Sequence, residues 1–177
     1  GESVILTTGT FLSGVLHKGH QQVSGGRVGE RAATKLASSL IALGLRLGRL
    51  KTGTCPRLDA RTIDWSATEE QEDVVLDGLF SFNPVRKRLE QVSCHITYTN
   101  EQTHLIIRSG LDQSPMFTGQ IVGRGPRYCP SIEDKVVRFS ERNRHLLFLE
   151  PEGLNSHQVY VNGLSTSLPE HLQLEMV

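Results

Sequence analysis

Hydrophobic positions along the chain change period several times, and each change marks an expected element. "VILTT" (4–8) is a short β-branched apolar run ending at Gly9, the pattern of a central strand in an α/β sheet. "FLSGVLHKG" (11–19) continues as a hairpin or strand, and "QQVSGGRVGERA" (21–32), with three glycines around Arg27, reads as a loop. Over 32–50, Leu36, Leu40, Ile41 and Leu43 fall near helical spacing, with Gly44 as a C-cap. Alternation in "LRLGRLKTGT" (45–54) predicts a strand entering a turn, and strand patterns recur near Phe80–Phe82 and in "CHITYT" (94–99). Acidic "EEQED" (69–73) is expected as solvated loop. A short helix is expected over 100–111, capped by Asn100.

The clearest helix spans 130–143, where Ser131 and Asp134 form an S-x-x-D capping signal and Ile132, Val136 and Phe139 share one face. "HLLFLEPEG" (145–153) returns to a buried strand. "HQVYVNGLSTSLP" (157–169) predicts a strand or hairpin turning at Asn162-Gly163, and "LPEHLQLEMV" (168–177) a helix that looks cut short. The fold class is α/β, with residues 56–123 forming a smaller inserted α+β domain between 1–55 and 124–177.

Composition narrows the class. The 177 residues carry 19 Lys+Arg against 19 Asp+Glu, so a basic tail is excluded while a local basic patch is not. No apolar run approaches a membrane span, and "GESVILTTGTFLSG" lacks the basic region of a signal peptide. Three distant cysteines argue against a disulfide scaffold and for a reducing compartment. With no Met at its start and a strand already under way, the chain reads as a piece of a longer protein.

Candidate chemistry gathers in "RGPRYCPSIEDK" (124–135). If Ser131 caps the helix, Cys129 lies just ahead of a positive helix end; if Pro130 is the first helical residue, Cys129 is itself the cap. Arg127 and that end would both lower a thiol pKa. The competing reading is a structural cysteine. "TTGT" (7–10) suits close approach to a dinucleotide, and "SGGRVG" (24–29) could wrap phosphate around Arg27, though plain turns account for both. "KTGT" is no Walker A motif, "GRGPRY" lacks the third glycine of a dinucleotide fingerprint, and no metal-ligand spacing or G-x-S-x-G elbow occurs. His17 and His20 are expected on the surface. The basic residues of "RLGRLKTGTCPR" (46–57) could meet nucleic-acid or cofactor phosphates, or line a solvated face.

Seven ordered blocks, "VILTTGTFLSG", "SGGRVG", "GRLKTGTCPR", "YTNEQTH", "GRGPRYCPSIEDKVVRF", "FLEPEGL" and "GLSTSLP", resemble the MnmG/GidA family from about residue 4 to the end. The resemblance implies part of a glutathione-reductase-like, FAD-binding Rossmann-type domain with an inserted domain, in a homodimeric enzyme. It implies an FAD- and NADH-dependent reaction with an MnmE-type GTPase that adds an aminomethyl or carboxymethylaminomethyl group at C5 of the tRNA wobble uridine. Methylenetetrahydrofolate and glycine or ammonium would be substrates. The setting would be the cytoplasm, or else a mitochondrial matrix, with no membrane association.

Residue by residue, the resemblance makes Cys129 one of two cysteines the family is thought to use, adding to C6 of uridine so that C5 becomes nucleophilic. It assigns Thr8, Gly9 and Thr10 to a strand end against FAD. Gly25, Gly26 and Arg27 fall in a segment near the flavin, and Thr34 stands beside Ala33, which replaces an expected flavin-contacting Ser. The proposed NAD-binding stretch covers Gly125, Pro126, Arg127, Tyr128, Pro130, Ser131, Ile132, Glu133, Asp134, Lys135, Val136, Val137, Arg138 and Phe139. Within it, Arg127 and Lys135 could meet phosphates, and Glu133 and Asp134 are candidates for proton transfer, with helix capping the competing role for Asp134. The family's N-terminal G-x-G-x-x-G, second cysteine and helical domain have no counterpart in these residues. The alternative is a non-catalytic fragment or binding module contacting tRNA or a protein partner.

Overall fold

The computed structural model describes residues 1–71, 82, 90–123, 125 and 130–177. Its main sheet has five strands in the order β3-β7-β6-β5-β4, where β3 is Arg57–Asp59, β4 Glu69–Glu70, β5 His95–Tyr98, β6 Leu146–Pro151 and β7 Gln158–Asn162. Every neighbouring pair is antiparallel. The period of two places Leu147 and Leu149 of β6, and Val159 and Val161 of β7, on one buried face, with Leu149 opposite Val161. The sheet draws β3, β4 and β5 from residues 56–123 and β6 and β7 from 124–177.

Three helices close the core against that face. Helix α2 (Glu101–Ser109) contributes Ile107, α3 (Ile132–Arg138) contributes Ile132 and Val136, and α4 (Glu170–Met176) contributes Leu172 and Met176. Asn100 caps α2 by accepting from Thr103 N–H. A full capping box starts α3, with Ser131 Oγ accepting from Asp134 N–H and Asp134 accepting from Ser131 N–H. Both helix starts follow the sequence signals. The N-terminal part is a two-stranded hairpin, β1 (Val15–Lys18) and β2 (Gln21–Ser24), followed by α1 (Thr34–Ala42). Leu45 N–H bonds Leu40 O and Gly44 N–H bonds Ile41 O, with Gly44 at φ +81°, a Schellman ending at the expected glycine.

Several expectations fail for tertiary reasons. Residues 4–8 form no strand, and Val4 and Ile5 are 84% and 87% exposed, because no described strand lies beside them to pair. The mixture of strands and helices agrees with the expected α/β class, and the five-stranded sheet among the described residues is antiparallel throughout. Residues 45–49 are irregular, whereas Gln21–Ser24 is strand and Glu69–Glu70 pairs with β5 at the sheet edge. Leu36, Ile41 and Leu43 are exposed; only Ala37 and Leu40 of α1 are buried. Asn162-Gly163 ends β7 without a returning strand, because Leu164 and Leu168 instead drop into the core. The stretch expected at 80–82 lies outside the described residues apart from exposed Phe82. No described helix is long and apolar enough to cross a membrane.

The edge of the core holds two imidazoles. His104 and His145 are 1% and 7% exposed, with ring centroids 5.1 Å apart. Thr99 Oγ1 accepts from His145 N–H and lies 2.8 Å from His104 Nε2, while His145 Nε2 is buried with no hydrogen-bond partner among the described residues. Burial pushes both pKa values down, helped by Arg108 at His104 and, at His145, by His104, Lys135 and Arg142; Glu101 and Glu141 oppose weakly. A lowered folded-state pKa means the unfolded chain binds protons more readily. Stability is therefore full above the unfolded histidine pKa of about 6.5 and falls as pH drops through it toward the lower folded values. Thermal unfolding between about pH 7.5 and 5.5, the range that brackets that value, should show this decline. His104→Gln/His145→Gln should flatten it; an unchanged slope would count against the pair as its cause.

Candidate functional site

Two glycine loops 16 residues apart in sequence form one cluster beside the hairpin. Thr10 Oγ1 donates to Gly26 O at 2.5 Å. Phe11 N–H donates to Thr8 O, Phe11 O accepts from Ala33 N–H at 2.8 Å, and Gly25 N–H donates to Gly14 O at 3.0 Å. Glycine is required where these turns touch. A Cβ on Gly26 would stand 2.2 Å from the Phe11 ring, and one on Gly14 would stand 2.3 Å from Thr10 O. The cluster thus brings together Thr8, Gly9, Thr10, Gly25, Gly26 and Arg27, with Thr34 at the start of α1.

The outer side of this cluster suits a phosphate-bearing cofactor. Gly9 and Gly29 have positive φ (+53° and +80°), and an added Cβ there would meet nothing within 4 Å. Their backbone is open to a ligand that needs close approach. The Arg27 side chain is 77% exposed and pairs with Glu30 at 3.7 Å. Thr10, by contrast, has its hydroxyl committed to Gly26 O. His17 is half-buried rather than on the surface, because β1 packs it inward; burial and nearby Arg49 push its pKa down, and its Nδ1 has no partner among the described residues.

The second candidate stretch divides into three. Pro126, Arg127, Tyr128 and the candidate nucleophile Cys129 lie outside the described residues. Gly125 is exposed, Pro130 half-buried, and Val137, Arg138 and Phe139 exposed. Ser131, Ile132, Glu133 and Val136 are buried, Ser131 and Asp134 being joined in the capping box, and Lys135 Nζ donates to Gly163 O at 3.0 Å. Ser131 is the helix cap, which settles the choice between it and Cys129. Asp134 also places a carboxylate at the positive end of α3, so that end lowers a nearby thiol pKa less than the bare helix would.

Glu133 is the residue whose place the sequence did not indicate. It is 0% exposed, and its Oε1 accepts from Ser167 N–H at 3.1 Å, Thr166 O–H at 3.0 Å and Ser114 O–H at 3.4 Å. Its Oε2 is buried without a partner among the described residues. The sequence signal for this clasp is the polar run Ser165-Thr166-Ser167 between the buried Leu164 and Leu168. The basic cluster at 46–57 does not form one patch. Arg49 donates to Ser13 O, while Arg57 pairs with Glu152 at 2.6 Å and stacks over Tyr160. Among the described residues no group of three His, Cys, Asp or Glu side chains could hold a metal.

Comparison with known proteins covers the whole chain. The family model described as glucose inhibited division protein A matches residues 1–177. The tRNA uridine 5-carboxymethylaminomethyl modification enzyme MnmG of Cytophaga hutchinsonii is 52% identical over 177 residues, covering 99% of this chain and 28% of that protein. MnmG of Nitratiruptor is 55% identical over 178 residues, again with 28% of its own length matched. The crystal structure of Aquifex aeolicus GidA superposes with a TM-score of 0.83 at 49% identity, covering 96% of this chain and 30% of that one. The chain therefore spans under a third of these relatives' length.

Proposed function

Because the chain belongs to the glucose inhibited division protein A family, we propose that it is a segment of an enzyme that modifies C5 of the tRNA wobble uridine, using FAD and NADH. The observation that carries this reading is the loop cluster, where the residues the sequence nominated for FAD meet through Thr10, Gly26 and Phe11. The exposed backbone at Gly9 and Gly29 would lie against the cofactor, and Arg27 would meet a phosphate. Residues beyond these 177 would complete a glutathione-reductase-like domain.

FAD, when bound, supplies the redox chemistry, with NADH as hydride donor. The residues of this chain have separate tasks. Cys129 Sγ adds to C6 of uridine, the C5–C6 π electrons move toward O4, and C5 becomes nucleophilic toward a one-carbon unit from methylenetetrahydrofolate. C5 bonds to that carbon as its bond to the folate nitrogen breaks and tetrahydrofolate leaves as the protonated amine; loss of the C5 proton then restores the C5–C6 double bond and expels the thiolate. Gly125 to Phe139 form the NADH-binding stretch in this reading, with its surface supplied by the exposed Val137, Arg138 and Phe139 rather than the buried Ile132, Glu133 and Val136. An MnmE-type GTPase, glycine or ammonium as nitrogen source, and homodimerisation complete the proposal, in a cytoplasmic setting.

The test uses the full-length protein carrying this segment. After loading with FAD and desalting, it should keep a flavin band that bleaches with NADH under nitrogen, and it should modify wobble uridine in tRNA. Arg27→Ala should weaken FAD retention about tenfold through loss of one charge-assisted contact. A protein that retains no flavin and leaves tRNA unmodified would overturn the reading.

A further inference from the structure

The strap from Gly163 to Leu168 is laced on both sides. Toward α3, Gly163 O accepts from Lys135 Nζ, Ser165 O accepts from Ile132 N–H at 2.7 Å, and Thr166 and Ser167 bond Glu133. On the other side, Thr166 N–H donates to Thr54 O, and Ser167 O accepts from Gly19 N–H at 2.8 Å. Gly19 is the tip of the β1–β2 hairpin. The hairpin's other end leads into the loop cluster, through Gly14 and Gly25.

We propose that Glu133 is a positioning residue: acting through the two backbone groups of Ser167, its buried carboxylate fixes the β1–β2 hairpin, and so the loop cluster, relative to α3. The role deepens the function proposed above and rests on it, because that function needs the flavin loops and the segment ahead of α3 held in one geometry. α3 begins three residues after Cys129 in sequence.

The geometry favours this over simple packing. A fully buried carboxylate is costly to desolvate, and an apolar side chain of similar size would fill the space more cheaply. Here three donors from two segments converge on Oε1 alone, and Oε2 makes no bond among the described residues. Such an arrangement fixes the donors' positions more than it adds stability. Leu168, wholly buried and followed by Pro169, holds the far end of the strap. The hairpin tip has little slack either. A Cβ on Gly19 would stand 2.8 Å from the Pro169 ring, and Lys18 pairs with Glu170. Displacing Ser167 therefore moves Gly19 with it.

Hydrogen exchange and NADH-dependent flavin reduction in the full-length protein test this. Glu133→Ala should speed exchange at least tenfold in peptides covering both 164–168 and 17–21, and lower kcat at least tenfold with KM for NADH within twofold. Glu133→Gln keeps the Oε1 acceptor and should restore hairpin exchange to within threefold of wild type. If Glu133→Ala does not fold, Thr166→Val, which removes one donor to Oε1 together with the acceptor of Leu168 N–H, decides: hairpin exchange should rise about threefold. Unchanged exchange at 17–21 in Glu133→Ala or Thr166→Val, or a Gln variant no better than Ala, overturns the proposal. A wild-type protein whose flavin is not reduced by NADH would sink the function proposed above, while the exchange measurements still decide the role of Glu133.

Discussion

Cys129→Ser in the full-length protein is expected to lower tRNA modification at least about 1,000-fold while flavin content and NADH-dependent bleaching stay at wild-type levels. An alcohol is not ionised at neutral pH, so the serine hydroxyl of this variant would add to C6 of uridine far more slowly than a thiolate. Loss of turnover with intact flavin reduction would place the defect outside flavin reduction, at the uridine. Cys55 is the internal control. It is 5% exposed, and burial pushes its thiol pKa up despite hydrogen bonds from Tyr160 and two backbone groups. The partner Tyr160 hydroxyl is itself pushed up to about 12, chiefly by burial. Iodoacetamide should therefore label Cys129 at a pH clearly below that needed for Cys55. Equal titration would remove the activated thiolate. The source of activation is also constrained, because Asp134 already answers the positive end of α3 and Lys135 donates to Gly163 O. If Arg127, two residues away in sequence, supplies the activation instead, Arg127→Ala should raise the labelling pKa of Cys129.

What the sequence made legible was local. Asn100, the Ser131–Asp134 box and Gly44 act through hydrogen bonds spanning five residues or fewer, and all three were readable from residue type and spacing. Strands β6 and β7 were readable as short apolar runs bounded by polar and turn residues. The failures needed long-range knowledge. "VILTT" has a strand's composition, yet a strand also needs a neighbour, and no described strand is beside it. Glu69–Glu70 has no strand composition but lies where β5 offers free backbone groups. The candidate site shows the same split. The resemblance nominated Thr10, Gly26 and Arg27 individually, but only the fold shows that Thr10 and Gly26 bond each other, leaving Gly9, Gly29 and Arg27 to face outward. The resemblance makes Glu133 a candidate for proton transfer, whereas the fold buries it completely. A glutamate is almost never fully buried unless paired, and its partners lie 19 to 34 positions away.

Gly26→Ala is expected to destabilise the protein by about 3 kcal/mol, the upper end of ordinary overpacking, and to abolish FAD retention. The added methyl would stand 2.2–2.3 Å from the Phe11 ring and 2.7 Å from the Phe11 backbone, so a rotamer change alone cannot relieve the clash. Phe11 cannot easily retreat, since its N–H bonds Thr8 O and its carbonyl bonds Ala33 N–H. Moving it would break the turn that presents Gly9 and pull on the start of α1. Gly29→Ala supplies the contrast. Nothing lies within 4 Å of its Cβ position, but φ of +80° costs an alanine about 1–2 kcal/mol. The two glycines are thus needed for different reasons, contact at one and backbone freedom at the other. Phe11→Ala should recover part of the Gly26→Ala loss, because it removes the ring while the crowding against the backbone stays, and should recover none of the Gly29→Ala loss. Urea unfolding midpoints for the single variants and the two double variants measure both couplings. If Gly26→Ala cost no more than Gly29→Ala, or if Phe11→Ala failed to relieve it, the two loops would not be locked through Phe11, and the cluster would lose its standing as a preformed site.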